Sequence, residues 1–319
     1  MADDGSRAES DYRRVRNRAL FGDILARLLG RTNRLLSFDA VKQSLQLGGP
    51  IYRGTRPVPV AQIVGSVDRY RDFDREFLPM QDRTADRWKS IARAFYDDVD
   101  LPPVRLYKVG DAYFVLDGHH RVSVARDQGV EFVDAEVQEA YSRVPISADL
   151  RADDLQILHE YRHFLERTRL DEIRPDQRIR FTIAGGYDQL VEHIAVHRYF
   201  MGLDFQRDVS EEEAVAHWYD TVYLPVVEAI REHKVLADFP GRTEADLYLW
   251  IIEHLHVLRE SEGDVGVGQA AEDFVDHFSE RTIKKIARGV KQVFDAIGVS
   301  EEKPDEPGDS GEDAPEDGG

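Results

Sequence analysis

One pentapeptide, Asp-Gly-His-His-Arg at positions 117–121, restricts the fold and the chemistry of this chain more than any other stretch. The apolar run before it, residues 112–116, is rich in aromatic and β-branched residues and predicts a strand. The run after it, residues 122–128, is followed by a glycine, which is typical of the end of a short helix. The glycine of the pentapeptide therefore lies where a strand is expected to turn into a helix.

The start of that helix is predicted to be an anion-binding site. The first N–H groups of a helix have no partner within it, and the aligned peptide dipoles make this end positive. His119, His120 and Arg121 add two imidazoles and a planar guanidinium in the first turn. Three such side chains at one helix start serve no packing purpose, so the pattern favours the binding of a phosphate or another anion.

The elements around the pentapeptide resemble the N-terminal domain of the ParB/sulfiredoxin superfamily. A leading strand ends in Ile-Val-Gly at residues 63–65, a helix follows, and two strands read P-V-x-L-Y-x-V-G-D-x-Y-F-V-L-D-G-H-H-R up to Arg121. A closing strand is expected over residues 132–137, so the resemblance covers about 90 residues. It implies an α/β (α+β) domain in which the corresponding loop holds nucleotide phosphates.

The branches of this superfamily differ at the pentapeptide. Sulfiredoxins carry Gly-Cys-His-Arg and use ATP to rescue an oxidised cysteine, and His119 stands in the place of their cysteine, which excludes that chemistry. Partition proteins carry Gly-Glu-Arg-Arg and clamp DNA, whereas this chain has His119-His120 and no basic helix-turn-helix segment after it. A third branch phosphorylates free serine. The resemblance therefore implies phosphoryl transfer to a small molecule or nucleotide hydrolysis, and the alternative is a DNA-associated or nucleotide-sensing regulator without turnover.

Each residue of the loop has an expected role within this resemblance. Gly118 lets the backbone approach a phosphate closely, and Arg121 clamps two of its oxygens. His119 and His120 bind the phosphate or act as general acid and base, and both are candidate catalytic residues. The expected ligand is ATP, ADP or CTP together with Mg²⁺.

Nearby carboxylates are candidates for holding the metal or activating the acceptor hydroxyl. Asp117 is the candidate Mg²⁺ ligand, although an aspartate before a helix is also a common N-cap. Asp68 is a further catalytic candidate, and Asp72 lies close to it in the sequence. Ser66 and Arg69, in the turn after the leading strand, are expected to contact the nucleotide. The acceptor and the base of the nucleotide stay open at this stage.

The chain divides into four segments by composition and periodicity. Residues 1–46 form a basic amphipathic helical segment, residues 47–145 the ParB/sulfiredoxin-like nucleotide-binding domain, and residues 146–299 a mostly α-helical domain. Residues 300–319 hold nine acidic residues and one lysine. Such a segment buries too little apolar surface to offset its ordering entropy, so an acidic disordered tail is expected.

In the nucleotide-binding domain, a turn-rich stretch over residues 47–57 is expected to lead to an edge strand over residues 58–64. In the helical domain, Ser210 and Thr243 are expected to cap helices, and residues 274–297 are expected to form one or two more.

The N-terminal helix is expected to pack its apolar stripe on the protein itself. Eight arginines lie between positions 7 and 34, and apolar residues recur there at helical spacing. Alternatively, such a helix could lie on a membrane, a nucleic acid or a partner protein. The stripe consists of Leu20, Phe21, Ile24, Leu25, Leu28 and Leu29.

Composition narrows the class of protein further. The chain has no run of 18 apolar residues and begins with acidic residues, so neither a transmembrane helix nor a secretory signal is expected. The expected location is the cytoplasm. The absence of cysteine excludes disulfides, thiolate metal sites and a cysteine nucleophile. The net charge of −19 argues against a protein that coats duplex DNA, so nucleic acid is not the favoured partner. The oligomeric state is open and includes a homo-oligomer.

Two histidine pairs in the helical half have metal-binding spacing. His159 and His163 match the H-E-x-x-H pattern of zinc peptidases, but the charged Arg162 occupies an inner position and no third ligand follows. His193 and His197 are also four residues apart and could share a metal. A structural role is the favoured interpretation of both pairs, at a domain interface for the second.

Overall fold

The computed structural model describes residues 2–28, 33–232 and 234–262. The expected acidic tail, residues 300–319, lies outside these described residues. So does the helical segment that the sequence predicts over residues 274–297.

The chain forms two compact units that divide between Val196 and His197. The division falls inside one long helix. Residues 146–196, which the sequence assigns to the helical half, therefore belong to the same compact unit as the sheet.

The first unit contains a sheet and the helices that cover it. Its strands, within the described residues, are β1 (Leu36–Ser37), β2 (Ile51–Pro59), β3 (Ile63–Ser66), β4 (Val104–Val109), β5 (Ala112–Asp117) and β6 (Phe132–Glu139). Its helices are α1 (Ala2–Leu28), α2 (Phe38–Leu45), α3 (Ala85–Tyr96), α4 (His119–Asp127), α5 (Leu155–Thr168) and α6 (Leu170–Ile173), and α7 (Gly186–Phe205) continues into the second unit.

The strands form one mixed sheet in the order β1-β3-β5-β4-β6-β2. β3 runs parallel to β5, β4 pairs antiparallel with β5 and parallel with β6, and β2 closes the edge antiparallel to β6. This architecture confirms the prediction of a mixed α/β fold. Because β3 and β5 are parallel neighbours, the turns after Ser66 and Asp117 leave the same edge of the sheet, where α/β proteins commonly bind ligands.

Gly65 brings β3 and β5 together directly behind this edge. A Cβ on Gly65 would lie 2.3 Å from the ring of Phe114 and 2.7 Å from the carbonyl oxygen of Leu36. Only glycine therefore fits between the two neighbouring strands. The main core lies on one face of the sheet, where alternate strand residues pack against Val122 of α4.

Helix α1 packs on α3, but through a different stripe from the predicted one. Its buried side contacts Trp88 and Ala92 of α3, with the rings of Tyr12 and Trp88 5.7 Å apart. The members of the predicted stripe whose side chains the structure describes face solvent instead, since Phe21 is 73 % exposed and Leu28 is 79 % exposed. The small residues of the buried stripe allow the two helices to approach closely. That stripe consists of Ala8, Tyr12, Val15 and Ala19.

The sequence predicts one edge strand over residues 58–64 after a turn-rich stretch, and this prediction is wrong. β2 ends at Pro59, the chain turns through Val60–Gln62, and β3 begins at Ile63. Residues 51–57 of the turn-rich stretch belong to β2, where Gly54, with φ +83°, lies at the shift of register in the pairing with β6. Prolines are tolerated in β2 since an edge strand needs hydrogen-bond donors on one side only.

The described part of the second unit is helical. It contains the end of α7, α8 (Glu211–Trp218), a π-helical segment (Tyr219–Tyr223), α9 (Leu224–Glu232) and α10 (Glu244–Glu262). The predicted caps are confirmed: Ser210 accepts a hydrogen bond from the N–H of Glu213, and Thr243 accepts one from the N–H of Asp246. None of the helices described in either unit has the length and apolar character that spanning a lipid bilayer requires.

Candidate functional site

The pentapeptide forms the start of α4, at the carboxyl end of β5. Gly118 is the N-cap residue, with φ +100° and ψ 22° in the region that favours glycine. A Cβ at this position would lie 2.7 Å from Cγ1 of Val104, so a side chain does not fit. Because Gly118 has no side chain to cap the helix, the first N–H groups of α4 are left for a ligand.

His119 is buried behind the helix start and is held by Ser66. Nε2 of His119 is 2.8 Å from Oγ of Ser66, and the main-chain N–H of Arg69 donates to the same Oγ at 2.9 Å. The imidazole lies nearly parallel to the ring of Phe73, with 6.0 Å between ring centres. Burial lowers the pKa of His119 to about 4, although the carboxylate of Asp68 is 3.7 Å from Nε2. His119 is therefore neutral at pH 7.

His120 has a buried nitrogen without a partner. The residue is 7 % exposed, and its Nδ1 makes no hydrogen bond within the described part of the chain. Phe73 meets the ring edge-on, 5.3 Å away. Burial, and then the charges of Arg69 and Arg87, lower the pKa of His120 to about 4. A buried polar atom without a partner costs about 1–3 kcal/mol, which a ligand bound to it would recover.

A pocket of about 210 Å³ lies at this edge of the sheet. Two arginines reach it from different elements, Arg69 from the turn after β3 and Arg87 from α3. Neither guanidinium makes a hydrogen bond or an ion pair with a described residue, and both residues are exposed to solvent. The pocket is lined by the pentapeptide, Asp68, Arg69, Arg87, Ile91 and Leu116.

Arg121 and Asp117 bind each other beside the pocket. Nη2 of Arg121 donates to the carboxylate of Asp117 at 2.7 Å, and Nη1 donates to the carbonyls of Pro102 and Pro103, the latter at 2.9 Å. These bonds hold the helix start against the segment before β4. Asp117 is not an N-cap, since Gly118 takes that position. The phosphate contact of Arg121 and the Mg²⁺ contact of Asp117 stay predictions.

The other predicted contacts divide between the pocket and its surroundings. Asp68 lines the pocket and its side chain is 68 % exposed. Ser66 is fully buried, and the contact of its side chain is with His119, which it orients. Asp72 accepts a hydrogen bond from Nη2 of Arg83 at 2.6 Å and is committed to that pair. Direct binding of a nucleotide by Ser66 stays a prediction.

The pocket has enough carboxylates to bind a Mg²⁺ ion that is already coordinated by phosphate. Within the described ranges, no group of three or more histidine, cysteine, aspartate or glutamate side chains is placed to hold a metal ion. A Mg²⁺ ion bound to phosphates needs only one or two protein carboxylates, because phosphate and water oxygens complete its shell. Asp68 and Asp117 both line the pocket and supply that number.

Arg87 is a pocket residue that sequence reasoning missed. It comes to the pocket because α3 packs against α4, where Nε1 of Trp88 donates to Oγ of Ser123 at 2.9 Å and both residues are fully buried. The available signal was the amphipathic pattern of α3. A helix that buries Trp88 and Ala92 against α4 places its neighbouring residue 87 on the flank of that contact.

The pair His159 and His163 lies on α5, with ring centres 4.6 Å apart. The glutamate between them, Glu160, accepts a hydrogen bond from the main-chain N–H of Gly185 at 2.7 Å. Nε2 of His163 is 3.1 Å from Nη2 of Arg162. These contacts commit the glutamate to the backbone and place a guanidinium beside Nε2 of His163.

His197 makes a close contact with His217. Nε2 of His197 is 2.8 Å from Nδ1 of His217. The ring planes differ by 26° and the ring centres are 5.0 Å apart, so the two imidazoles are arranged nearly end to end. Thr221 Oγ1 is 3.1 Å from the same Nδ1. The roles that the spacing of His193 and His197 allowed stay predictions.

The likeness of the pentapeptide region to the ParB/sulfiredoxin superfamily stays a prediction from the sequence. No protein-family model matches this chain, and neither a curated protein nor a solved structure matches it.

Proposed function

We propose that the pocket at the start of α4 binds the phosphates of a nucleotide, and that the protein transfers a phosphoryl group to a small acceptor or hydrolyses the nucleotide. One observation carries this proposal. Within the described part of the chain, one pocket is lined by a histidine whose buried Nδ1 has no partner, by two arginines without ion pairs and by a helix start without a side-chain cap. Each of the three is a recognised element of phosphate binding, and together they point to an anion.

Charge favours the binding of a polyphosphate at this place. Arg69 and Arg87 supply two full positive charges, the carboxylate of Asp68 offsets one of them, and the carboxylate of Asp117 is offset by Arg121, so the lining keeps an excess of one positive charge. His119 and His120 are neutral, since burial lowers the pKa of both to about 4. A bound phosphate stabilises the protonated imidazoles, so its arrival raises both pKa values toward the ordinary range and links binding to proton uptake.

Different lining residues have different roles in the proposed reaction. Arg69 and Arg87 neutralise the charge that develops on the transferred group, which is the main requirement of phosphoryl transfer. His120 donates a hydrogen bond to a phosphate oxygen once its free Nδ1 carries a proton. Asp68, the lining carboxylate without an arginine partner, accepts the proton of the attacking hydroxyl or water.

Mg²⁺ fits this site as a companion of the nucleotide. Asp117 is the residue that would hold it, which leaves Asp68 as the base, and the ion would supply neutralisation of the phosphate oxygens. We further propose that the sheet and α4 form a ParB/sulfiredoxin-like domain in a cytoplasmic protein. The order of β3, α3, β4, β5, α4 and β6 supports this assignment.

The proposal is tested by measuring phosphate release and acceptor phosphorylation with Mg-ATP, Mg-ADP and Mg-CTP. Arg69→Ala should lower turnover by tenfold or more, because one charge-assisted contact contributes about 1.5–3 kcal/mol. Arg71→Ala is the matched control, since it removes the same charge two residues along the chain, where the side chain does not line the pocket.

The outcomes separate the two classes of function. Turnover that falls in Arg69→Ala and survives in Arg71→Ala supports the enzyme. Nucleotide binding that depends on Arg69 without any turnover supports a nucleotide-sensing or DNA-associated regulator instead. If no nucleotide binds at low ionic strength, the pocket is not a nucleotide site and the proposal fails.

A further inference from the structure

We infer that the pocket recognises the polyphosphate chain of its ligand and does not read the base. This inference rests on the proposed function, because it describes the substrate class of the same pocket. It predicts that inorganic tripolyphosphate, ATP and CTP are equivalent ligands.

The composition of the lining carries the first part of the argument. Base recognition in proteins relies on flat apolar or aromatic surfaces on which the ring stacks, together with polar groups at its edges. Among the described residues, the apolar ones that line this pocket are Ile91 and Leu116, and neither has a ring. Every other lining residue is charged, is a histidine or is Gly118. The lining thus suits a charged ligand better than an aromatic one.

The two histidines do not replace the missing stacking surface. His119 is 5 % exposed and His120 is 7 % exposed, so neither ring presents an open face to a ligand. Phe73 lies parallel to the first ring and edge-on to the second, and it is itself 1 % exposed. The histidines therefore do not give the pocket a surface on which a base could stack.

The pocket opens to solvent on the side of its charged residues. The side chain of Asp68 is 68 % exposed, and Arg69 and Arg87 are exposed as well. A nucleoside attached to the bound phosphates therefore has room to extend beyond the lining residues described above.

Arg87 supplies the second positive charge of the pocket, from a different element than Arg69. It approaches from α3, whereas Arg69 approaches from the turn after β3, so the two guanidinium groups belong to separate elements. The hydrogen bond from Trp88 to Ser123 holds α3 against α4 and keeps Arg87 beside the helix start. Two such cations on separate elements suit an extended chain of phosphates with charge along its length.

Isothermal titration calorimetry with tripolyphosphate, ATP, CTP and adenosine tests the inference, with and without Mg²⁺. The first three ligands should bind with dissociation constants within about fivefold of one another, which is about 1 kcal/mol, and adenosine should not bind. Arg87→Ala should weaken all three by a similar factor of about tenfold or more. Arg93→Ala removes the same charge from the same helix away from the pocket and should leave binding unchanged. Arg87→Lys keeps the charge and should recover part of the affinity.

The results distinguish failure of this inference from failure of the proposed function. If ATP or CTP binds about 50-fold or more tightly than tripolyphosphate, the base is read and the inference is overturned, while the nucleotide site stands. The same holds if Arg87→Ala and Arg93→Ala behave alike. If none of the phosphate ligands binds, both the inference and the proposed function are refuted.

Discussion

Alanine at Gly118 should destabilise the protein more than alanine at Gly129, the glycine just beyond the other end of α4. Both glycines have positive φ, +100° and +69°, so alanine at either position costs about 1–2 kcal/mol of unfolding free energy. Their surroundings differ. A Cβ on Gly118 would lie 2.7 Å from Cγ1 of Val104, whereas no atom lies within 4 Å of a Cβ on Gly129.

The extra cost at Gly118 comes from the collision with Val104. This side chain is buried and belongs to β4, so it moves only if the strand or its own rotamer shifts. Forcing an extra methyl group into a filled site typically costs about 1–3 kcal/mol. The Gly118→Ala variant should therefore lose about 2–5 kcal/mol and the Gly129→Ala variant about 1–2 kcal/mol.

Equilibrium urea unfolding of the wild type and both variants measures these losses. Adding Val104→Ala to Gly118→Ala should cost less than Val104→Ala costs in the wild type, because it removes Cγ1, the atom 2.7 Å from the new Cβ. The relief is partial, since Cβ of residue 104 and Nη2 of Arg121 stay 3.0 Å from the new Cβ. The double-mutant cycle should show a coupling of about 1 kcal/mol. Equal losses for the two glycine variants, or a coupling of zero, would refute the explanation.

Three further predictions concern burial and hydrogen bonding. Burial lowers the pKa of His119 and His120 from the ordinary 6.5 to about 4, so the folded protein resists protonation of both rings. The unfolding free energy should therefore be highest above pH 6.5 and should fall as the pH falls toward 4, by up to about 3 kcal/mol for each histidine. Urea titrations at pH 7 and pH 5 should show a larger loss in the wild type than in a variant with glutamine at both positions. Trp88→Phe leaves the buried hydroxyl of Ser123 without its partner and should lower the unfolding free energy by about 1–3 kcal/mol beyond the effect of the lost volume. Adding Ser123→Ala to this variant should restore part of the loss. If it restores nothing, the hydrogen bond is not the cause. Arg126 donates to three main-chain carbonyls at 2.9–3.1 Å, so Arg126→Met should lower the unfolding free energy by about 2–4 kcal/mol. Arg126→Lys should recover little of this loss, because an ammonium group lacks the planar fork of N–H donors that a guanidinium has. Full recovery in the lysine variant would refute the role of that fork.

Local patterns were sufficient to predict the elements around the pentapeptide. The strand over Val104–Val109 is confirmed at both ends, since apolar residues alternate there and a Gly-Asp turn follows. The helix after Gly118 and its end before Gly129 are confirmed for the same reason, because glycine in a left-handed conformation marks a boundary that the neighbouring residues alone decide. The caps Ser210 and Thr243 are equally local signals.

Features that depend on distant contacts were not predictable in this way. The inward face of α1 is set by its fit to Trp88, and a stripe of larger apolar residues on the same helix gave the opposite expectation. Arg121 turns back to the carbonyls of Pro102 and Pro103, a contact that no spacing within the pentapeptide indicates. Arg87 reaches the pocket only through the packing of α3 on α4.

The distribution of tryptophan gives each compact unit its own optical label. Trp88 belongs to the first unit, and Trp218 and Trp250 belong to the second. A chain with phenylalanine at positions 218 and 250 would keep Trp88 as its single indole, so its fluorescence would report denaturation of the sheet-containing unit alone. The stabilities of the two halves of the molecule thereby become separately measurable within the intact chain.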